Sequence, residues 1–300
     1  MIPVALWALV RAFGLEGGNF LTALMFFTPF AAVGALLVSG VALALRNWAA
    51  AAVGALATAC LFAAVLPRAI GSETMPAAGH ETLTVLSANV FLGDADPGAL
   101  VALVDRYRPD LLTVEELTPS FARELRRAGI ERRLPHAVLE AQPKGHGGGL
   151  YARHPLAPLP QRAHFLFRMP RATMVLPDGR RLRVVAVHPQ PPNMSAARWR
   201  EALESLPEPG SGAPWVLAGD FNATFDQAEF RTLVDRGYRD AGEATGNGLE
   251  PTWPGPDELP FGLIAIDHVL ADRRLGVAEY GVTDLAGSDH RAIHARLVLP

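Results

Sequence analysis

One cysteine, Cys60, occurs in 300 residues. It falls inside an apolar run, which leaves the rest of the chain without a thiol for a disulfide, a nucleophile or a zinc site, as suits an oxidising exterior. Charge is also scarce at the front: Phe20 to Leu45 contains no charged residue, and neither does Asn47 to Pro67. Each run is long enough to cross a hydrocarbon core of roughly 30 Å as a helix, so two membrane spans are predicted. They account for a mean hydropathy of +0.18, too apolar for one ordinary soluble domain. A third apolar stretch, Ile2 to Val10, is too short to span alone and meets Arg11 at once. It lacks the basic segment that would open a cleaved signal peptide. No internal repeat is visible, and no low-complexity block beyond the Ala-rich front.

These absences divide the chain into a membrane region, 1–66, with two or three transmembrane helices, a linker, 67–80, and one domain, 81–300. The linker consists of small residues, Pro and Gly without periodicity. The 220 residues after it suffice for a sizeable core. Only Arg11, Arg46 and Arg68 of the 27 basic residues, and Glu16 and Glu73 of the 30 acidic ones, precede Glu81, so the domain holds 24 and 28. That mildly acidic balance disfavours polymeric nucleic acid, which usually selects a basic groove. Arg123, Arg126, Arg127, Arg132 and Arg133 bunch together, but partly on a helix face that reads as solvated. Arg46 between the spans and Arg68 after them nearly balance the positive-inside count, which therefore sets no orientation.

Within the domain, strand-like and helical runs alternate, which gives an α/β class. Strands are predicted at Thr82–Val90, Leu111–Val114, His136–Leu139, Gly149–Ala152, Ala172–Leu176, Arg181–Val187, Trp215–Leu217, Pro260–Leu270 and Arg291–Leu299. Helices are predicted at Asp96–Tyr107, Ser120–Ala128, Ser195–Leu206 and Asp226–Arg236, and a loop over Gly281–His290. Asp178-Gly179 signals a hairpin.

Polar residues with chemical capability recur at the strand ends: Asn89, Glu116, His188, Asp220 with Asn222, Asp267, and Asp289-His290. Each has a plain structural alternative. Asn89 could simply end a strand, one of Glu115 and Glu116 is expected to be solvated, and a lone histidine such as His188 is more often a satisfied core residue. Asp220 and Asn222, two apart, would share a strand face, and Gly219 would admit a close backbone approach. Asp267 inside Ile264-Ala265-Ile266-Asp267-His268-Val269-Leu270 resists the plain reading, because a carboxylate in so apolar a run needs a partner. Ser288-Asp289-His290 offers one.

Six motifs in this order resemble the endonuclease/exonuclease/phosphatase superfamily, which includes DNase I-like nucleases, inositol-phosphate phosphatases and sphingomyelinases. They are Ser87-Ala88-Asn89-Val90, Pro109 to Glu116, Val187-His188, Gly219-Asp220-Phe221-Asn222, Ile266 to Val269 and Ser288-Asp289-His290, and the likeness spans nearly all of 81–300. It implies a four-layer α/β sandwich of two packed mixed sheets and a hydrolase of phosphate esters or anhydrides. In this chemistry a hard cation offsets developing charge, a base orients water, and donors hold the equatorial oxygens.

Carried over by motif, Glu116 with Asn89 and Asp289 would hold the metal. An oxygen set without cysteine favours Mg²⁺ or Mn²⁺. Asp220 would orient water, Asn222 and His188 would hold phosphoryl oxygens, and Asp267 would fix His290. Phe91 stands where some nucleases of the family carry an acidic residue, and Tyr151 is the candidate for a tyrosine that others use. The helices-then-domain layout resembles actinobacterial membrane phosphatases of teicoplanin-resistance type. That likeness implies a multi-pass protein of the cell membrane with an extracytoplasmic domain. Its partners would be the bilayer and a phosphorylated lipid or small molecule, such as a pyrophosphate lipid carrier, and no protein partner is inferable. The rivals are an extracytoplasmic nuclease or phosphodiesterase and an inactive binding module.

Overall fold

The computed structural model describes residues 1–71, 74–75, 78–160 and 165–300. The chain opens with four helices, α1 (Ile2–Phe13), α2 (Gly18–Leu24), α3 (Thr28–Ala44) and α4 (Trp48–Val65). A single 3₁₀ turn, Met25–Phe27, joins α2 to α3. Gly18–Ala44 and Trp48–Ala69 are long and apolar enough to cross a membrane. Their outer faces show Val33, Leu36, Leu37, Val53 and Leu56 to the surroundings. Small residues, Ala8, Ala32, Ala35 and Ala57, let α1, α3 and α4 approach closely, with Leu61 buried among them.

The strands that follow are β1 (Thr82–Asn89), β2 (Leu111–Glu115), β3 (His136–Glu140), β4 (Gly148–Ala152), β5 (Leu156–Leu159) and β6 (Arg171–Val175). After them come β7 (Arg181–Val187), β8 (Trp215–Asp220), β9 (Tyr238–Asp240), β10 (Asp267–Asp272), β11 (Gly276–Thr283) and β12 (Ala292–Val298). They form two six-stranded sheets, ordered β11-β12-β1-β2-β4-β3 and β5-β6-β7-β8-β10-β9. The centre of each sheet is a parallel pair, β1 with β2 and β7 with β8. Every other pairing is antiparallel. The parallel pairs need crossovers, which α5 (Pro97–Tyr107) and α7 (Pro192–Glu204) supply. Asp96 caps α5 by accepting from the Gly98 N–H at 2.7 Å, with Pro97 in the first turn.

Alternation along the strands sorts side chains into three cores. Val85, Leu150, Ala172, Val184, Val216, Val269 and Ile293 meet between the sheets. Leu86 and Leu112 face outward onto Leu100 and Val104 of α5 and onto Phe121 and Leu125 of α6 (Pro119–Arg127). Val185 and Leu217 face Trp199 and Leu203 of α7 and Phe230 and Leu233 of α8 (Ala228–Asp235). Helix, sheet, sheet, helix is the four-layer sandwich that the family resemblance implied.

Local departures have local causes. The strand expected over Pro260–Leu270 begins only at Asp267. Ile264 instead accepts from the N–H groups of Thr252 and Trp253, and Thr252 Oγ1 accepts from those of Ile266 and Asp267, which holds this stretch in a loop. The loop expected over Gly281–His290 is partly strand, because β11 runs to Thr283. A bulge between Val277 and Glu279 breaks its alternation and hides it in the sequence. The short edge strands β5 and β9 and the one-turn helix α9 (Ala241–Thr245) were not foreseen.

Where it is described, the segment read as a linker lies along the domain; residues 72, 73, 76 and 77 fall outside the described residues. Arg68 is buried and donates to both oxygens of Asp226, at 2.8 and 2.5 Å, and Arg11 donates to the same carboxylate at 2.9 Å. Gly248 N–H bonds the Arg68 carbonyl at 3.1 Å, and Met75 N–H bonds that of Val277 at 2.7 Å. Asp226→Asn would leave two buried guanidinium groups without a counter-charge. Breaking a buried pair in this way costs about 3–5 kcal/mol, so thermal unfolding in detergent should show a clearly lowered Tm. An unchanged Tm would show that the carboxylate is not what fastens these segments.

Candidate active site

The inward-facing rows of both sheets are apolar along most of their length and turn polar at one end. There stand Ser87 and Asn89 of β1, Thr113 and Glu115 of β2, Asp220 of β8 and Asp267 of β10, all buried. In register, Asn89 sits opposite Glu115 and Asp220 opposite Asp267. His188 follows β7 directly, and His290 precedes β12 by one residue. Ser288 latches the last loop to β1, donating from Oγ to the Asn89 carbonyl at 2.7 Å and accepting from His290 N–H at 3.0 Å. The ends of central strands thus converge where the two sheets meet.

Hydrogen bonds organise the convergence. His290 Nδ1 lies 2.9 Å from Asp267 Oδ2, while its Nε2 points toward Asp220 Oδ2 at 3.7 Å. Asn89 Nδ2 donates to Asp220 Oδ2 at 3.2 Å and to Glu116 Oε1 at 3.4 Å, and Asn89 Oδ1 accepts from Phe91 N–H at 3.1 Å. Leu92 N–H donates to Glu116 Oε2 at 2.6 Å. His188 Nε2 is 3.6 Å from Asp220 and 3.8 Å from Glu116, beyond direct hydrogen bonding, and its buried Nδ1 has no partner among the described residues.

Asn222 reaches the cluster differently from the expected shared strand face. β8 stops at Asp220, Phe221 N–H bonds the Ile266 carbonyl, and Asn222 takes a left-handed φ of 47°. From that turn its backbone N–H donates to Asp220 Oδ1 at 2.8 Å, and its Nδ2 donates to Pro189 O at 3.2 Å and Asp220 Oδ2 at 3.3 Å. Of seven described non-glycine residues with positive φ, Leu92, Glu116, Lys144 and Asn222 line the cavity described below. Such backbone persists only where its surroundings hold it, which is usual at working sites. Gly219 meets the expectation of a close approach, since a Cβ there would stand 2.1 Å from Val187 O and 3.0 Å from Glu115 Oε1.

Burial governs the charges. It raises the pKa of Asp220 to about 7, more than His290 lowers it. For His290 burial acts in the opposite direction, but Asp267 and Asp220 outweigh it and hold the imidazolium up to about 10. Burial, with His290 and His146 nearby, lowers His188 to about 3 and keeps it neutral. Complete burial pushes the Glu115 carboxyl well above its ordinary value, which favours its protonated form. The expectation that one of Glu115 and Glu116 would be solvated is thus corrected: Glu115 is fully buried, accepting from Ser87 Oγ at 3.2 Å, and Glu116 faces the cavity.

That cavity measures 640 Å³ and is lined by Glu116, His188, Asp220, Asn222, Asp289 and His290, with Asn89 and Asp267 directly behind. Tyr151 does not belong to it; this side chain is buried in the core between the first sheet and its helices. The arginine cluster is also elsewhere, with Arg126 paired to Glu131 and Arg133 to Asp105 at the surface. Lys144, His146, Phe167 and Trp253 line the cavity and were not singled out from the sequence. Lys144 could have been found, for it is the only lysine in the chain and stands in the turn-rich run Pro143-Lys144-Gly145-His146-Gly147.

Glu116 and Asp289 present carboxylate oxygens to this space, and Asp289 Oδ1 is buried without a partner among the described residues. Burial raises the pKa of both, beyond what His290 and nearby hydrogen bonds offset. Clustered, desolvated oxygen donors of this kind suit a hard divalent cation. Asp220, Asp267 and His290 also offer ligand atoms within 4.8 Å of one another. There, however, His290 Nδ1 and Asp267 Oδ2 are spent on each other, so that trio fits an oriented imidazolium better than a metal cage.

Residues 86–290 match the model of the Endonuclease/Exonuclease/phosphatase family. Among solved structures, the chain is similar to an endonuclease/exonuclease/phosphatase from Beutenbergia cavernae, with 20% identity, a TM-score of 0.54 and coverage of 73% of this chain and 72% of that one. It is similar to D. rerio TDP2 complexed with single strand DNA product, with 18% identity, a TM-score of 0.58 and coverage of 72% and 99%. Sphingomyelinase C from Streptomyces griseocarneus gives 15% identity, a TM-score of 0.50 and coverage of 72% and 99%. At these identities the likeness carries the fold. No curated protein matches the chain.

Proposed function

This chain belongs to the endonuclease/exonuclease/phosphatase family, and on that footing we propose that it is a membrane-anchored, metal-dependent phosphohydrolase acting on a phosphate ester or anhydride. The observation that carries this reading is the single cavity in which Glu116, Asp289, Asp220, His188 and His290 meet. A divalent cation, Mg²⁺ or Mn²⁺, held by Glu116 and Asp289 with Asn89 beside them, would offset charge on the phosphoryl oxygens. Asp220, with a pKa near neutrality, orients water and accepts its proton as the water oxygen bonds phosphorus and the ester or anhydride oxygen leaves. Asn222 spends its donors on Asp220 and on the Pro189 carbonyl, which braces Asp220. His290, kept cationic by Asp267, faces the negative transition state, and neutral His188 adds a ring N–H.

The two apolar helices support the membrane location. An extracytoplasmic domain acting on a pyrophosphate lipid carrier is the specific form of the proposal. Full-length protein in detergent, assayed on a prenyl pyrophosphate, a phospholipid, sphingomyelin, an inositol phosphate and plasmid DNA, should hydrolyse a lipid substrate with Mg²⁺ or Mn²⁺ and lose that activity in excess chelator. Full activity in chelator would sink the metal reading, and cleavage of DNA alone would replace the lipid by nucleic acid.

A further inference from the structure

The cavity has two walls of opposite character. Besides the carboxylates and histidines, it is lined by Phe20, Leu24 and Phe27, from α2 and the turn after it, and the apolar lining includes Met194, Trp253 and Ile264. Part of this lining is open to the surroundings: Phe20 is 78% and Met194 60% exposed. Exposure on that scale in a group that lines a polar site invites an apolar occupant.

The second wall is fixed to the domain. Asn19 donates from Nδ2 to the Met194 carbonyl at 3.1 Å and accepts from Ala196 N–H at 3.0 Å, so it fastens α2 to the start of α7. Gln227 Nε2 donates to the Thr22 carbonyl at 3.1 Å, and Arg200 donates to the Glu16 carbonyl at 3.0 Å. Beyond Phe27 the chain passes directly into α3, whose exposed face carries Phe30, Val33 and Leu37. One apolar surface therefore runs from the outside of the long helices into the cavity that Glu116 and His290 also line.

We propose that Phe20, Leu24 and Phe27 form the binding wall for the hydrocarbon chain of a lipid phosphoester or pyrophosphate. The chain enters along α3 while the phosphoryl group meets the polar wall. α2 is then part of the substrate site as well as of the anchor. The proposal rests on reading the polar wall as a phosphoester site, and it narrows the substrate to amphiphiles whose tail leaves the cavity on the α2 side.

The test uses full-length protein at one fixed detergent concentration with Mn²⁺, titrated calorimetrically with methyl, butyl, octyl and dodecyl phosphonates, which are not hydrolysed. Affinity should rise along the series, by up to roughly fourfold per buried methylene for the first carbons. In the variant carrying Phe20→Ser and Leu24→Ser the slope should fall to near zero. Phe20 is exposed, so Phe20→Ser alone repeats the test without emptying a core. A flat series in the unaltered protein, or the same slope in the variants, which is what partition into micelles gives, would overturn the proposal. Hydrolysis of p-nitrophenyl phosphate by the unaltered protein is measured alongside. A chain-length slope without hydrolysis keeps the tail site and removes the hydrolase reading; hydrolysis with a flat series does the reverse.

Discussion

Asp267→Asn is expected to lower kcat by roughly 10²- to 10⁴-fold, the range associated with a positioned acid–base group, while the protein stays folded. The substitution keeps the volume, and the backbone N–H of residue 267 still donates to Thr252 Oγ1 at 3.2 Å. What it removes is the negative charge 2.9 Å from His290 Nδ1, which together with Asp220 holds the ring cationic against a burial that favours the neutral form. An asparagine can also turn its amide to face either ring tautomer, so the direction of Nε2 toward Asp220 is less fixed. Steady-state kinetics with a thermal melt on the same sample checks this. A variant with a near-normal rate would remove Asp267 from the mechanism, and one that fails to melt cooperatively would give it a structural role instead.

The second large effect separates two adjacent residues. Glu116→Gln should raise the Mg²⁺ or Mn²⁺ concentration needed for half-maximal rate by more than the roughly 10- to 100-fold typical of losing an outer-shell partner of a metal, because Glu116 itself would be the ligand. Glu115→Gln should change little. Glu115 is fully buried away from the cavity, burial favours its protonated form, and glutamine is nearly isosteric with it. Metal titration of the initial rate for both variants decides the matter. If Glu115→Gln shifted the metal dependence and Glu116→Gln did not, the assignment would be reversed.

Some of this site is legible in the sequence alone. Asp267 stood out because an ionisable group inside an apolar run needs a partner, and the structure supplies His290. Asn89, Glu116, His188 and Asp220 were legible because they end apolar runs, and strands of a parallel pair end on the same side of their sheet. Less legible was whatever depends on long-range contact. Glu115 and Glu116 are indistinguishable as letters; a left-handed φ of 59° at Glu116 turns one into the cavity and leaves the other in the core. Asn222 reaches Asp220 through a turn, not through strand periodicity. The apolar wall was invisible for a different reason: Phe20, Leu24 and Phe27 have the composition of any membrane helix, and only their sharing one cavity with Met194, Trp253 and Ile264 sets them apart.

The ion pairs on Asp226 carry a further meaning. Arg11 precedes both long apolar helices in the chain and Arg68 stands at the very end of the second, yet their guanidinium groups end on one carboxylate. The path between them is a closed excursion, so any passage through a bilayer within it must be made an even number of times. With two helices available, the excursion is one hairpin whose tip is the Arg46 turn. The parity holds whatever precedes residue 1. If these helices cross a bilayer, Arg46 and the candidate active-site cavity would lie on opposite faces of it, and learning the side of either one would fix the other.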